Sequence, residues 1–415
     1  MDPTSPSRPS RRIRRIAIAC MALVAALFLL FISFSPTVET PVRPTAADIS
    51  AAREVWSRLR APDAQEAATE VRVDNRMIRG ISALASDATG IARFEGEVVD
   101  GELAGRASLS LPLGLWLNTS ATVKGEHEGF PAFGLKVGRV PFPEFAGRWM
   151  AGLGRFVLGL AGVEIPPLDT IVSRIKVEDS HAIAKLTLPH KSGLMGSVIA
   201  AGGQGADAEL VAGIRCRITG ELRGQPPATL PQLVRIAFDP AHSQESPEYT
   251  RAAFVALAQL LVGGTAEALA PKAIELAKNC ASLAGPVTLQ GRDDLAKHWA
   301  FSAGLTAVLG EETAASLGEW KELDDSLANG SGFSFVDLAA DRSGMHMALR
   351  ALSPETAPGA VRDLRAASED SLLPKELLHV PEGLAEASFV DRFGGLDRAR
   401  YREAVVAIDR TLAGG

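Results

Sequence analysis

Between residues 293 and 346 the chain gathers its densest polar chemistry. Asp294 and His298 stand four apart and Ser302 follows one turn later, so all three share one face of a helix. Lys321, Glu322 and Asp325 cluster on the next helix. Ser334 with Asp337 three residues later makes a capping-box variant that opens a third helix, and Asp341 lies one turn beyond Asp337. Gly344 lets a neighbouring helix approach. If the three helices pack together, one neutral imidazole and several carboxylate oxygens suit a divalent metal such as Zn, Mn or Mg. Without metal, a carboxylate beside His298 makes it a general base, and crowded carboxylates supply an acid of raised pKa. The candidate catalytic residues are His298, Glu322, Asp325, Asp337 and Asp341. The same residues also fit a structural network. Asp294–His298 and Lys321–Asp325 are then helix pairs worth about 0.2–0.5 kcal/mol each, and Ser334 is a cap worth about 1 kcal/mol.

The pattern Asp294-x-x-x-His298-Trp299-x-x-Ser302-Ala303, Gly318-x-x-Lys321-Glu322-x-x-Asp325, Ser331-x-x-Ser334-x-x-Asp337-Leu338-x-Ala340-Asp341-x-x-Gly344 resembles that of the VanZ-like/YfiM-type family. It covers about 50 of the 415 residues. Members of that family are mostly small membrane or envelope proteins, so the resemblance implies a shared polar site and no named reaction. Leu295 stands where the family has Lys, and Glu311, Glu312, Glu319 and Lys321 make these helices too charged for a lipid interior.

The elements that must position these residues are helical. Spacing predicts helices over 249–262, 266–276, 295–309, 311–323, 336–351, 360–367 and 401–412. Upstream, from 68 to 190, the pattern is period two, as in Ala92-Arg93-Phe94-Glu95-Gly96-Glu97-Val98 and Ile183-Ala184-Lys185-Leu186-Thr187-Leu188, with Gly, Asp and Pro between runs. Antiparallel hairpins follow. One helix interrupts them, opened by Phe142-Pro143-Glu144 and running to about 160. It carries Phe145, Trp149, Met150, Leu153, Phe156, Val157 and Leu160 around much of its circumference, so either the sheet or lipid must cover it. Gly202, Gly203 and Gly205 precede a strand expected at 214–218. They lack the Lys-Ser/Thr ending of a phosphate loop and read as a linker.

The N-terminus sets the location. Arg8, Arg11, Arg12, Arg14 and Arg15 precede an uncharged apolar run from 16 to 34. Its nineteen residues reach roughly 28 Å at about 1.5 Å each, near the hydrocarbon thickness of a bilayer. The arginines hold the tail 1–15 in the cytoplasm and put the body outside, in the periplasm of a Gram-negative cell. The run is longer than a signal-peptide core, and Ser33-Phe34-Ser35 is a poor cleavage site, so it reads as an uncleaved anchor. Such a compartment permits a Cys216–Cys280 disulfide; two buried free thiols are the reading favoured here. The net charge of −6, with no basic stripe interleaved by aromatics, argues against nucleic acid.

The expected architecture is α+β. A basic tail (1–15), a transmembrane helix (16–34), a Pro-rich stem with a helix (35–67), a β-rich α+β domain (68–245) and an all-α C-terminal domain (246–415) follow in order. The expected function is a binding or scaffolding role in the cell envelope, facing lipid or cell-wall components. One alternative is a metal-dependent or acid/base hydrolase of an envelope substrate. Another is a lipid-binding protein whose Trp116, Trp149 and Phe156 line a groove.

Overall fold

The alternating apolar residues of the first half form two antiparallel sheets. The structure, a computed structural model, describes residues 30–39, 43–59, 69–160, 167–187, 205–225, 227–241, 246–327 and 330–414. The expected tail and all but the last five residues of the expected span lie outside these, as does most of the Gly-rich stretch. Among the described residues no helix is long and apolar enough to cross a membrane.

The elements of the first half are β1 (Ile32–Ser33), α1 (Ala46–Leu59), β2 (Thr69–Asp74), α2 (Asn75–Thr89), β3 (Ala92–Val99), β4 (Glu102–Leu111), β5 (Leu115–Lys124), β6 (Glu126–Glu128), β7 (Gly134–Val137), β8 (Val140–Phe142), α3 (Glu144–Leu160), β9 (Val172–Glu178) and β10 (His181–Leu186). One sheet has the order β3-β4-β5-β7-β8, with β1 also on β5; the other is β2-β10-β9-β6. Between them pack Val98, Val177 and Ala182, with Val73, Ile78, Leu103 and Val123 at the margin.

Within the expected span, Ile32 and Ser33 are not helical but form strand β1, paired with Leu117 and Trp116 of β5, which corrects the end of that span. Two further features depart from the expectation here. Residues 35–38 do not form a free stem. Ser108 Oγ accepts the amides of Thr37 (3.1 Å) and Val38 (3.0 Å), and Asn118 Nδ2 donates to Ser35 O at 3.0 Å. The other is α2, a second helix inside the stretch expected to hold hairpins interrupted by one helix. Asp74 caps it by accepting from Met77 N at 2.9 Å, and it lies so close on β3 that a Cβ at Gly96 would strike Ile78.

The second half is helical: α4 (Ala208–Glu221), α5 (Leu230–Ala237), α6 (Pro247–Val262), α7 (Pro271–Leu276), α8 (Asp293–Leu309), α9 (Glu311–Asp325), α10 (Phe335–Leu352), α11 (Ala357–Arg365), α12 (Glu386–Phe393) and α13 (Ala399–Gly414), joined by single-turn helices. The strand expected at 214–218 is a correction: those residues are the middle of α4. Val211, Ile214 and Ile218 recur at helical spacing, and all are buried in one core with Leu233, Phe254, Trp299 and Phe335. α4 and α5 thus share a core with the helices beyond 246.

Cys216 on α4 and Cys280 after α7 form a disulfide with Cα atoms 5.1 Å apart. This corrects the reading of two free thiols. The two cysteines stand 64 positions apart in the sequence, and the folding of α7 back onto α4 brings them together.

The two halves meet across α2 and α9. Asp87 accepts from Trp320 Nε1 at 2.9 Å and from Arg43 Nε at 3.1 Å. Glu319, buried, pairs with Arg43 and accepts from Tyr401 OH. α9 therefore carries a docking face and, a residue or two on, the Lys321–Glu322 pair.

Candidate active site

Three helices build the site, and their close packing has a local cause. A Cβ at Gly344 of α10 would overlap the backbone carbonyl of Trp299 on α8, so glycine there sets how near the two helices lie. Gly318 on α9 sits over the carboxylate of Asp341, and a Cβ there would lie 3.0 Å from Oδ2. The N-terminus of α10 is tied to α9 because Glu322 Oε2 accepts from Ser334 N at 2.9 Å, while Ser334 Oγ accepts from Asp337 N at 3.0 Å.

All five candidate residues come together. His298 Nδ1 lies 3.0 Å from Asp341 Oδ1, which also accepts from Ser302 Oγ at 2.7 Å. His298 Nε2 lies 2.8 Å from Lys321 Nζ and 3.7 Å from Asp337 Oδ2. Lys321 Nζ also reaches Glu322 Oε1 at 2.9 Å, Asp325 Oδ2 at 2.8 Å and Asp337 Oδ2 at 3.8 Å. The Glu322 side chain is 0% exposed and His298 12%, whereas Asp325 is 25% and Lys321 45% exposed. The site is thus a buried polar floor that reaches solvent past Lys321.

Lys321 is the residue the sequence pattern undervalued. Its pairing with Asp325 was legible as an i,i+4 contact; its place between His298 and three carboxylates depends on how α8, α9 and α10 pack. Asp294 went the other way. It shares a face with His298 but turns to Arg292 (2.6 Å), which also binds Glu382 and reaches Asp337 at 3.4 Å.

Electrostatics follows from burial. Burial disfavours the Glu322 carboxylate and pushes its pKa up to about 7, although Lys321 opposes the shift. Burial likewise raises Asp337, against His298 and Lys321. For His298, burial lowers the pKa, but the charge and hydrogen bond of Asp341 outweigh it and raise the imidazole to about 9. Lys321 is also held above its ordinary value, since Glu322 and Asp325 overcome the effect of burial. The Nε2–Nζ contact needs a lone pair on one nitrogen, and the ammonium keeps its protons. The contact therefore belongs to the neutral imidazole, with its proton on Nδ1 facing Asp341. Protonated, His298 and Lys321 repel each other.

His298, Glu322 and Asp341 each offer a donor atom within 4.8 Å of the others, the spacing of a cation site. Asp341 Oδ2 is buried without a hydrogen-bond partner. A groove of about 540 Å³ lies elsewhere, beside the disulfide, lined by Arg215, Gln259 and Lys278. Trp149 and Phe156 are exposed on α3, and the Arg93 guanidinium lies over the ring of Trp116.

No protein-family model, curated protein or solved structure matches the chain.

Proposed function

We propose that this chain is a membrane-anchored cell-envelope protein whose helical half is a hydrolytic acid–base centre built on His298. The observation that carries this reading is the imidazole itself, held by Asp341 at Nδ1 and aimed by Nε2 at the solvent-facing side of the cluster. That is the orientation a general base needs. A purely structural reading is weaker, because a buried ionic network contributes little net stability compared with apolar packing.

Entry of a substrate displaces the Lys321–His298 contact. Water then attacks the acyl or phosphoryl centre, His298 Nε2 takes the water's proton, and the bond to the leaving oxygen breaks as that proton is delivered to it. The Lys321 ammonium holds the developing negative charge. Asp341 orients the imidazole. Glu322, with one oxygen on Ser334 N and the other on Lys321, is a positioning group, and Asp325 stands at the mouth. The similarity to the VanZ-like/YfiM-type pattern is consistent with a polar site in an envelope protein. The Cys216–Cys280 disulfide suits an oxidising compartment.

A second reading, a divalent metal held by His298, Glu322 and Asp341, is favoured by the 4.8 Å donor spacing and the unpartnered Asp341 Oδ2. Hydrolysis of a panel of generic esters and phosphoesters by the full chain, with and without chelator, tests both. The acid–base reading expects turnover that survives chelation and falls about 10²–10⁴-fold in His298→Ala. Turnover lost to the chelator and restored by Zn or Mn supports the metal instead. No turnover, with variants that only melt lower, leaves a structural network.

A further inference from the structure

Among the described residues, nothing packs on one face of α3. Phe145, Trp149, Leu153 and Phe156 are 75%, 66%, 45% and 61% exposed. At about 100° per residue they fall within an arc of roughly 80°, a continuous apolar stripe. The opposite side meets the sheet, where a Cβ at Gly147 would strike Phe133. Scattered exposed apolar residues need no explanation, but a stripe of four large ones marks a contact surface.

The path of the chain indicates what covers it. The apolar run that begins at Ile16 ends in the sheet itself: Ile32 and Ser33 pair with Leu117 and Trp116. Leu30 O accepts from Arg139 N at 2.8 Å, in the turn between β7 and β8. From Arg139 the chain reaches the start of α3 in five residues, a distance of at most about 17 Å at roughly 3.3 Å per residue. Among the described residues, no stem separates the end of the apolar run from the sheet. Phe34, 77% exposed, lies beside this entry point, and Leu113, 95% exposed, caps the turn next to Leu115 on the same strand. Arg139 is exposed there, at the level where an anionic headgroup would meet it. Trp149 stands mid-stripe, and tryptophan is the side chain most suited to a membrane–water interface.

We propose that α3 lies along the surface of the bilayer that the N-terminal run enters, with Phe145, Trp149, Leu153 and Phe156 among the lipid acyl chains. Phe34 and Leu113 flank it at the same interface. This rests on the membrane-anchor reading and adds a second point of contact, which fixes the orientation of the β half on the membrane.

The test uses the full chain with Cys20→Ser, reconstituted in phosphatidylethanolamine/phosphatidylglycerol vesicles. Nitroxide labels go at Trp149→Cys, Phe156→Cys and, as a control, Glu403→Cys on the exposed side of α13. The expected result is that the labels at 149 and 156 meet dissolved oxygen several-fold more readily than a water-soluble nickel chelate, while the label at 403 meets the chelate freely. Labels at 149 and 156 that meet the chelate as 403 does, in protein that floats with the vesicles, overturn the proposal but leave the anchor intact. Labels shielded from both reagents, with spin–spin broadening relieved by unlabelled protein, seat a second copy of the chain there and also overturn it. Protein that does not float removes the anchor reading and this one together.

Discussion

Two tryptophans summarise how differently the halves of this chain use apolar residues. Trp299 is 0% exposed, at the centre of a core that spans α4 to α13. Trp149 is 66% exposed on α3, and the sheets beneath enclose only small clusters such as Val98, Val177 and Ala182. The helical half thus has apolar surface enough to hold a cluster of charges in its interior. The β half spends little of its apolar surface on itself. A buried charge is tolerable only where rigid packing fixes its partners, so the charged cluster sits in the helical half and the exposed apolar stripe in the β half.

The comparison breaks most readily at these two residues. Trp299→Ala is expected to cost about 3–5 kcal/mol through the cavity it leaves, whereas Trp149→Ala, at an exposed position of α3, should stay within about 0.5 kcal/mol. Urea denaturation measures both, and equal effects would mean that α3 is packed in solution. Reducing the Cys216–Cys280 disulfide, which ties α4 to the chain after α7, should cost about 2–5 kcal/mol. Calorimetry with and without reductant should show this loss in the helical transition alone.

Glycines sharpen the contrast. Gly344→Ala forces α8 and α10 apart and should destabilise by about 1–3 kcal/mol. Gly152→Ala on α3, where nothing lies within 4 Å of the new Cβ, should be neutral or stabilise by up to about 1 kcal/mol through helix propensity. Parallel melting curves of the two variants decide the sign of each.

A change of pH acts on the charged cluster alone. Glu322 keeps its proton in the folded chain up to about 7 against 4.5 unfolded, and His298 up to about 9 against 6.5. Both raised values stabilise most fully below the unfolded pKa, and that contribution is lost as pH rises through the folded one. Melting temperature should therefore fall progressively between pH 5 and about 9, and Glu322→Gln should flatten the lower part of that decline.

Much of this organisation is legible in the residues. The spacing of Asp337 and Asp341, the Ser334 cap and the helices that bear them follow from local pattern, as does α1. The mixed α/β composition with helices toward the C-terminus is likewise readable from periodicity. What escapes is what depends on packing. Ile214-Arg215-Cys216-Arg217-Ile218 alternates like a strand, yet Val211, Ile214 and Ile218 also fit one helix face, and burial against Phe254 and its neighbours decides between them. Nothing in the spacing of Lys321 shows that its ammonium ends against His298, 23 residues away. Asp294 demonstrates the converse, since a shared helix face did not make a contact once Arg292 was within reach.

In the proposed function His298 Nε2 is a working base rather than a strut. The most direct measurement is the pH dependence of hydrolysis by the full chain beside His298→Ala. The expected rate climbs as the imidazole loses its proton and levels off above about 9, a rise absent from His298→Ala while that variant stays folded. A flat profile, or the same rising profile in both proteins, would contradict it.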